Sequence, residues 1–182
     1  MPLDNQILTT CEIVKIVANR GHQQIPFPEF SDNLNGKNMD SAYAEITSWP
    51  GYVPTPLISL DKLAAHCGVR SVVYKDESQR LDMKSFKALG GAYAVANLVT
   101  KLGAMGVKPK SITVTTATDG NHGRSVAWGA QQAGCRAEIY IHEHVSEQRA
   151  DAMSTFGAKV NRIKGNYEAS LAACKADAEA NN

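Results

Sequence analysis

A regular alternation of strand and helix patterns from residue 85 onward most constrains the fold of this chain. Runs of β-branched and apolar residues predict strands, and stretches with apolar residues at helical spacing separate them. The predicted order is helix 85–102, strand 112–117, helix 123–133, strand 137–141, helix 146–156, strand 159–163 and a last helix from Asn166. Repeated βα units of this kind predict an α/β fold, a parallel sheet with flanking helices and right-handed crossovers.

The N-terminal part lacks this alternation. Residues 5–50 are polar and turn-rich, with an Asn-Gly pair at Asn35. A short apolar strand, 72–74, follows later, and the charged residues after it are interpreted as a solvated loop: Lys75, Asp76, Glu77 and Arg80. We therefore predict an N-terminal arm with elements of an incomplete domain in 1–84, and a smaller α/β domain in 85–182.

Lys87 lies at the start of the predicted helix 85–102, with Ser85 as a candidate N-cap. The positive end of a helix dipole disfavours an ammonium group, which favours the neutral amine that attacks carbonyl carbons. For a lysine considered alone, a side chain that reaches into solvent is the alternative.

The polar turn 118–123 lies at the carboxyl end of a predicted strand, where ligands of open α/β sheets bind. The amides of Gly120, Asn121 and His122, at the start of the next helix, can hold an anion such as a carboxylate. An Asx-turn that only links strand to helix is the alternative. Together with Lys87, the turn indicates a site for amine and carbonyl chemistry.

Several segments in one order resemble the fold type II pyridoxal-phosphate enzymes, which include threonine and serine dehydratases and diaminopropionate ammonia-lyase. They are 54–57 (PTPL), 75–78 (KDES), 85–91 (SFKALGG) and 117–124 (ATDGNHGR). The resemblance implies a tryptophan-synthase-β-like fold, of which this chain comprises the small domain and N-terminal elements of the large domain. It implies pyridoxal 5'-phosphate as cofactor, bound by Lys87 and by Asn121 at the ring oxygen. The implied partner is an amino-acid substrate, bound by Thr118, Gly120, Asn121 and His122.

Asp119 distinguishes between branches of this family. The dehydratases usually carry a serine and a small residue where this chain has Thr118 and Asp119, whereas a carboxylate resembles diaminopropionate ammonia-lyase, as do 49–52 and 141–147. An aspartate beside a carboxylate-binding turn repels an ordinary amino acid, so it needs another task, such as taking the Cα proton or binding a second ammonium. The resemblance implies that Lys87 takes the proton of the L-isomer and Asp119 that of the D-isomer.

Three functions stay open at this point. The first is α,β-elimination of D- and L-2,3-diaminopropionate to pyruvate and ammonia, by a protein that is commonly homodimeric in this family. The last helix has no glycine, proline or return strand after it, which predicts a truncated chain. The sequence also lacks a glycine-rich phosphate loop, since Gly90 and Gly91 fall inside a predicted helix. The first function therefore does not imply that the chain is active alone.

The second function is that of a threonine or serine dehydratase. The third is that of a noncatalytic α/β module.

Composition excludes several other classes of function. With 182 residues, 43% apolar residues and a net charge of +1, the chain can bury a core and has no electrostatic basis for binding nucleic acid or acidic membranes. The cysteines match no zinc pattern: Cys11, Cys67, Cys135 and Cys174. His142 and His144 are two candidate metal ligands without a third, so no metal site is predicted, and with Glu143 they are interpreted as a polar cluster at the end of a strand. Because no signal peptide or membrane-spanning run is present, we expect a cytoplasmic enzyme.

Overall fold

The structure is a computed structural model that describes residues 35–181. The chain divides into two compact units, Met1–Asn38 and Met39–Asn182, and nearly all described elements belong to the second. Most of the predicted N-terminal arm, with Cys11, lies outside the described residues. The helices are α1 Gly36–Ser48, α2 Asp61–Cys67, α3 Lys87–Ala104, α4 Asn121–Ala133, α5 Glu147–Ser154 and α6 Tyr167–Ala180. The strands are β1 Leu57–Ser59, β2 Val73–Lys75, β3 Thr113–Ala117, β4 Arg136–His142 and β5 Lys159–Ile163, and 3₁₀ turns cover Arg80–Asp82 and Pro109–Ser111.

The Asn-Gly pair at Asn35 begins a helix. The Asn35 side-chain oxygen accepts a hydrogen bond from the Asn38 main-chain N–H at 2.9 Å, as an N-cap residue does. The turn-rich interpretation of residues 5–50 is therefore wrong for α1. Asparagine before glycine favours both turns and helix starts. The alanines that follow have high helix propensity and so favour the helix.

β1 and β2 form a two-stranded antiparallel ribbon, with Ile58 opposite Tyr74. α2 connects the two strands and ends at Gly68, which adopts φ 64° and so supplies the left-handed conformation that closes a helix. Every residue of both strands is exposed.

A buried arginine fixes the segment that follows the ribbon. The Arg80 side chain is 6% exposed and donates to both carboxylate oxygens of Glu77, from Nε at 2.8 Å and from Nη2 at 2.9 Å. It also donates to the Thr55 hydroxyl at 2.9 Å and to the Val53 carbonyl at 3.2 Å, and lies 5.6 Å from the centre of the Tyr52 ring. The hydrogen bonds from Arg80 lower the pKa of Glu77 to about 2.

The predicted solvated loop is thus wrong at Glu77 and Arg80. Charged residues considered one by one favour solvent. Opposite charges three residues apart can instead satisfy each other and be buried together, as they are here.

The second sheet is parallel, in the order β3-β4-β5. Ala117 at the end of β3 lies opposite Tyr140, and His142 at the end of β4 lies opposite Ile163 at the end of β5. All three strands point the same way, so the loops that follow them gather at one edge. This edge carries the site described below.

Helices cover both faces of this sheet. Ile139 and Ile141 of β4 are fully buried in the core formed with α3, α4 and α5, where Met153 is also 0% exposed. Tyr140 points to the opposite face and packs with Cys174 of α6. The alternation along β4 follows the two-residue repeat of a strand.

The predicted α/β class with a parallel sheet is confirmed. The strand predicted at 159–163 has the observed bounds, and the other predicted elements after residue 85 differ by one to a few residues at their ends. The predicted domain boundary after residue 84 lies inside the second compact unit and stays a prediction. Among residues 35–181, no helix combines the length and apolar character that a membrane crossing requires.

Candidate active site

The Thr118 side chain organises the turn after β3. Its hydroxyl oxygen accepts the main-chain N–H of Gly120 at 3.0 Å and that of Gly123 at 3.1 Å, and Thr118 is only 4% exposed. The Thr118 N–H donates to the Tyr140 carbonyl at 3.0 Å, which extends the pairing of β3 with β4 by one residue. A single side chain therefore joins the sheet, the turn and the first turn of α4.

Gly123 brings α4 into direct contact with the sheet. A Cβ atom at this position would lie 2.4 Å from Thr118 Cγ2, 2.6 Å from Met153 Sδ and 3.1 Å from Ile139 Cγ2. These distances are too short for any side chain, so glycine is required. The turn consequently rests on the buried core of the parallel sheet.

Lys87 is the first residue of α3, and its N–H donates to the Ser85 hydroxyl at 3.2 Å. The segment before it is held in place: Leu81 is buried although it adopts φ 48°, and Arg124 of α4 donates to the Met83 carbonyl at 3.3 Å. A positive φ is unfavourable for leucine, so its surroundings must enforce it. The helix start therefore has a fixed position, whereas the Lys87 side chain is exposed.

α3 and α4 touch through small residues. The Ser125 hydroxyl of α4 donates to the Ala88 carbonyl at 2.8 Å and accepts the Ala92 N–H at 2.9 Å, so it bridges two groups of α3 that an α-helix usually joins directly. A Cβ at Gly129 would lie 2.7 Å from Ala92 Cα, and one at Gly91 would lie 2.6 Å from Ser125 Oγ. This close contact sets the distance between the Lys87 helix and the polar turn.

One cavity of about 460 Å³ brings the predicted site residues together. Its lining includes all six of them: Lys87, Thr118, Asp119, Gly120, Asn121 and His122. The sequence placed them in two separate motifs, and the structure joins these at the carboxyl edge of the parallel sheet. The individual roles predicted for these residues stay predictions.

Asp119 and His142 form a pair that the sequence did not indicate. The His142 Nε2 atom lies 3.1 Å from Asp119 Oδ1, with the Asp119 side chain 61% exposed and the His142 side chain 19% exposed. His142 is the last residue of β4, so two adjacent strand ends supply the two partners. The sequence interpretation treated His142 only as part of a polar cluster with Glu143 and His144.

His122 lies beside Lys87 at the entrance of α4. Neighbouring protein atoms exclude water from its imidazole and so lower its pKa, and the positive charge of Lys87 lowers it further. His122 is therefore neutral at neutral pH. A neutral imidazole can donate one hydrogen bond and accept another within the cavity.

Two further cavity residues were missed. Arg149, in the first turn of α5, also donates to the Asp119 carbonyl at 3.3 Å, and Tyr167 is the first residue of α6. Both follow strands of the parallel sheet at the edge where the polar turn lies. Applying the strand-end rule to β4 and β5, and not only to β3, would have indicated them.

Comparison with known proteins assigns the family. The sequence profile of the family described as "Pyridoxal-phosphate dependent enzyme" matches residues 48–182. This chain belongs to that family. The match contains Lys87 and the complete polar turn, and it confirms the resemblance seen in the motifs.

Among members of the family, the chain is similar to the diaminopropionate ammonia-lyase of Escherichia coli (strain K12), at 42% identity over 129 residues, 65% of this chain and 32% of that enzyme. The crystal structure of the E. coli enzyme in apo form superposes with a TM-score of 0.79 at 35% identity, over 90% of this chain and 45% of that one. Similarity to the biosynthetic L-threonine dehydratase of E. coli (strain K12) is lower, at 30% identity over 114 residues, 63% of this chain and 20% of that enzyme. The chain thus spans less than half the length of each of these proteins.

The cavity fits the aldehyde and ring end of pyridoxal phosphate. It offers the Lys87 amine, the group that binds an aldehyde, and the Asn121 amide, which can donate to a ring oxygen. Within residues 35–181, Gly90 and Gly91 lie inside α3, as the sequence predicted. The part of the chain that the structure describes therefore offers groups for the aldehyde and ring end of the cofactor.

Proposed function

We propose that this chain carries the lysine and acid–base groups of an ammonia-lyase that eliminates ammonia from D- and L-2,3-diaminopropionate. The observation that carries the proposal is one cavity lined by both an amine, Lys87, and a carboxylate, Asp119, each on its own structural element. Two proton acceptors in one site can serve the two mirror-image positions of a Cα proton. The products are pyruvate and two molecules of ammonia.

Lys87 would hold the aldehyde end of pyridoxal phosphate, and Asn121 would orient its ring. When bound, the cofactor supplies an electron-accepting ring that acidifies the Cα–H bond of an attached amino acid. The Lys87 amine would take the Cα proton of the L-isomer. Asp119 takes that of the D-isomer.

The start of α4 receives the substrate carboxylate. The first N–H groups of a helix have no partner within it, and at Asn121 and His122 they lie at the cavity with the positive end of the helix dipole. The Gly120 N–H and the Thr118 hydroxyl are bonded to each other, so these two residues shape the turn. Direct substrate contact by Thr118 or Gly120 stays a prediction.

Asp119 favours diaminopropionate over serine or threonine as substrate. The Asp119 side chain is 61% exposed and lines the cavity, where it presents a negative charge. This charge attracts the second ammonium of diaminopropionate, whereas serine and threonine carry a neutral hydroxyl in its place. The lower identity to L-threonine dehydratase agrees with this preference. Homodimer formation by the complete enzyme is proposed from the family alone.

Covalent labelling tests the cofactor part of the proposal. The protein is mixed with pyridoxal phosphate, its visible spectrum is recorded, and the sample is reduced with borohydride and mapped by peptide mass. We expect a new absorption band and a label on Lys87, both lost in Lys87→Ala and retained in Lys101→Ala, an exposed lysine of the same helix. Equal labelling of both variants contradicts the assignment of Lys87 and favours the noncatalytic alternative.

Turnover of separate isomers tests the substrate part. Asp119→Asn should abolish release of pyruvate from D-diaminopropionate while L-diaminopropionate turnover partly survives, with Asp151→Asn, an exposed aspartate of α5, as the control. L-Serine and L-threonine are assayed in parallel. Faster turnover of either hydroxyl amino acid than of diaminopropionate would decide for the dehydratase alternative.

A further inference from the structure

We propose that His142 is a positioning residue for the Asp119 carboxylate, and that it is required for reaction of the D-isomer and not of the L-isomer. The proposal rests on the proposed function for its catalytic consequence. Its structural part, the approach of His142 Nε2 to Asp119 Oδ1 at 3.1 Å, concerns two side chains of this chain and stands independently of any bound cofactor.

The hydrogen bond that the His142 ring accepts determines which of its nitrogens carries the proton. The His144 main-chain N–H donates to His142 Nδ1 at 3.2 Å, so Nδ1 must present a lone pair. The proton of the neutral ring is then on Nε2, the atom that faces Asp119 Oδ1 at 3.1 Å. A main-chain group thus leaves the imidazole N–H on the nitrogen nearest the carboxylate.

The turn that carries His142 is itself fixed by Arg162 of β5. The Arg162 guanidinium donates to the carbonyls of Glu143 at 3.1 Å and Val145 at 2.6 Å, and its other terminal nitrogen binds the Glu147 carboxylate at 2.6 Å. These contacts hold the chain that follows His142, including the N–H that selects its tautomer. The imidazole therefore has a fixed position beside an exposed partner.

Asp119 needs such a partner. Its side chain is 61% exposed, and an exposed side chain without an anchor can occupy several rotamers. The contact at Oδ1 restricts this rotation and leaves Oδ2 to accept the Cα proton. That proton ends on Oδ2, the electron pair left behind forms the Cα–Cβ double bond as the Cβ–N bond breaks, and the β-ammonium leaves as ammonia while His142 keeps its own proton.

The other charged groups near the pair act elsewhere. Arg149 donates to the Asp119 main-chain carbonyl, and Glu143 accepts the N–H of Gly165 at 2.8 Å. Among these contacts, His142 alone engages the Asp119 carboxylate. Substitution of His142 therefore removes a single, identifiable side-chain contact of Asp119.

His142→Leu is compared with His142→Gln, which restores an N–H donor at a similar distance from Cα. We expect Leu to reduce kcat for D-diaminopropionate by roughly ten- to a hundredfold, since a misplaced catalytic group costs about this much, while L-isomer kcat changes less than about threefold. Gln should recover most of the D-isomer rate. His66→Ala, a substitution of an exposed histidine on α2, is the control and should alter neither rate.

Parallel losses for both isomers, or a glutamine variant as slow as the leucine variant, would overturn the positioning role. A wild-type protein that turns over neither isomer contradicts the proposed function instead. In that event, nitrogen NMR of the imidazole rings still decides the inference. It should show the His142 proton on Nε2 and a resonance that moves in Asp119→Asn but not in Asp151→Asn, whereas a proton on Nδ1 or an unmoved resonance rejects it.

Discussion

The antiparallel ribbon of β1 and β2 and the parallel sheet of β3, β4 and β5 are stabilised by opposite means. All six ribbon residues are exposed, and the segment that follows them is held by the Arg80–Glu77 ion pair. The parallel sheet instead buries Ile139 and Ile141 completely between helices. Polar contacts fix one region, and apolar packing fixes the other.

The difference indicates where the chain tolerates change. Loss of a buried methyl group costs free energy wherever the site cannot collapse, whereas an exposed one costs little. Loss of one partner of a buried ion pair leaves an unpaired charge, and this cost depends on pH. The two regions should therefore respond differently to equivalent substitutions and to acid.

The largest difference is expected for isoleucine to alanine in each region. Ile139→Ala should lower the free energy of unfolding by about 3 kcal/mol, because the fully buried side chain leaves a cavity. Ile58→Ala, at a residue that is 41% exposed in β1, should lower it by less than about 1 kcal/mol. Urea unfolding followed by circular dichroism measures both. Equal losses would mean that the ribbon packs as tightly as the sheet.

Acid should weaken the ribbon segment through Glu77. Its pKa is lowered to about 2, so the ion pair contributes stability that is present above the ordinary value of 4.5 and is lost as pH falls through about 2. Glu77→Gln should cost on the order of 2 kcal/mol at pH 7, allowing for partial exposure, and progressively less between pH 4.5 and pH 2.

Urea unfolding at a series of pH values measures this dependence. Glu168→Gln, at an exposed residue in the first turn of α6, serves as the control and should shift the curve by less than about 0.5 kcal/mol at every pH. A Glu77→Gln difference that stays constant from pH 7 to pH 2 would argue against the ion pair as its cause.

Removal of the Ser125 hydroxyl, which links two helices that pack on the parallel sheet, should lower the free energy of unfolding by less than the Ile139 substitution does. Ser125→Ala deprives the Ala92 N–H and the Ala88 carbonyl of a buried partner and should cost about 1 kcal/mol. Ser154→Ala, which removes a hydroxyl that bonds within α5, should cost less. Because Ser125 links α3 to α4, its loss should also reduce labelling of Lys87 by pyridoxal phosphate, and unchanged labelling would show that the glycine contacts suffice.

The smallest effect at neutral pH concerns Tyr140 on the α6 face of the sheet. Burial, followed by a hydrogen bond to Asp177, raises its pKa to about 12. The folded state therefore binds this proton more tightly, and the associated stability is lost as pH rises from 10 to about 12. Absorbance titration should show a last step near pH 12 that Tyr140→Phe removes and that Tyr74→Phe, at an exposed ribbon residue, retains. A step that persists in Tyr140→Phe belongs to another tyrosine.

The sequence predicts those features that are periodic or contiguous. The βα units after residue 85 follow from repeats of two and of 3.6 residues, and Lys87 and the turn at Asp119 follow from short continuous motifs. Contacts between distant segments are different. His142 appeared as one member of a polar cluster because its partner is joined to it only by the pairing of β3 with β4.

The same reason explains the error at Glu77 and Arg80. Burial of this pair depends on Thr55 and Val53, which lie more than twenty residues earlier in the chain. Local charge density contains no information about such neighbours. Helix α1 was missed for a local reason instead, since Asn35 and the glycine after it favour turns and helix starts alike.

The contact between Gly129 and Ala92 has a consequence for how new specificity could arise on this scaffold. The close approach of the α3 and α4 backbones at Gly129 and Ala92, together with the Ser125 bridge, determines how far Lys87 lies from the polar turn. Cavity residues such as Asp119, Arg149 and Tyr167 can thus be exchanged without altering that spacing. Mutations of cavity residues can therefore change the reaction or the substrate while the packing of α3 against α4 stays the same. Directed evolution of the cavity should begin with Gly91, Ser125 and Gly129 left unmutated.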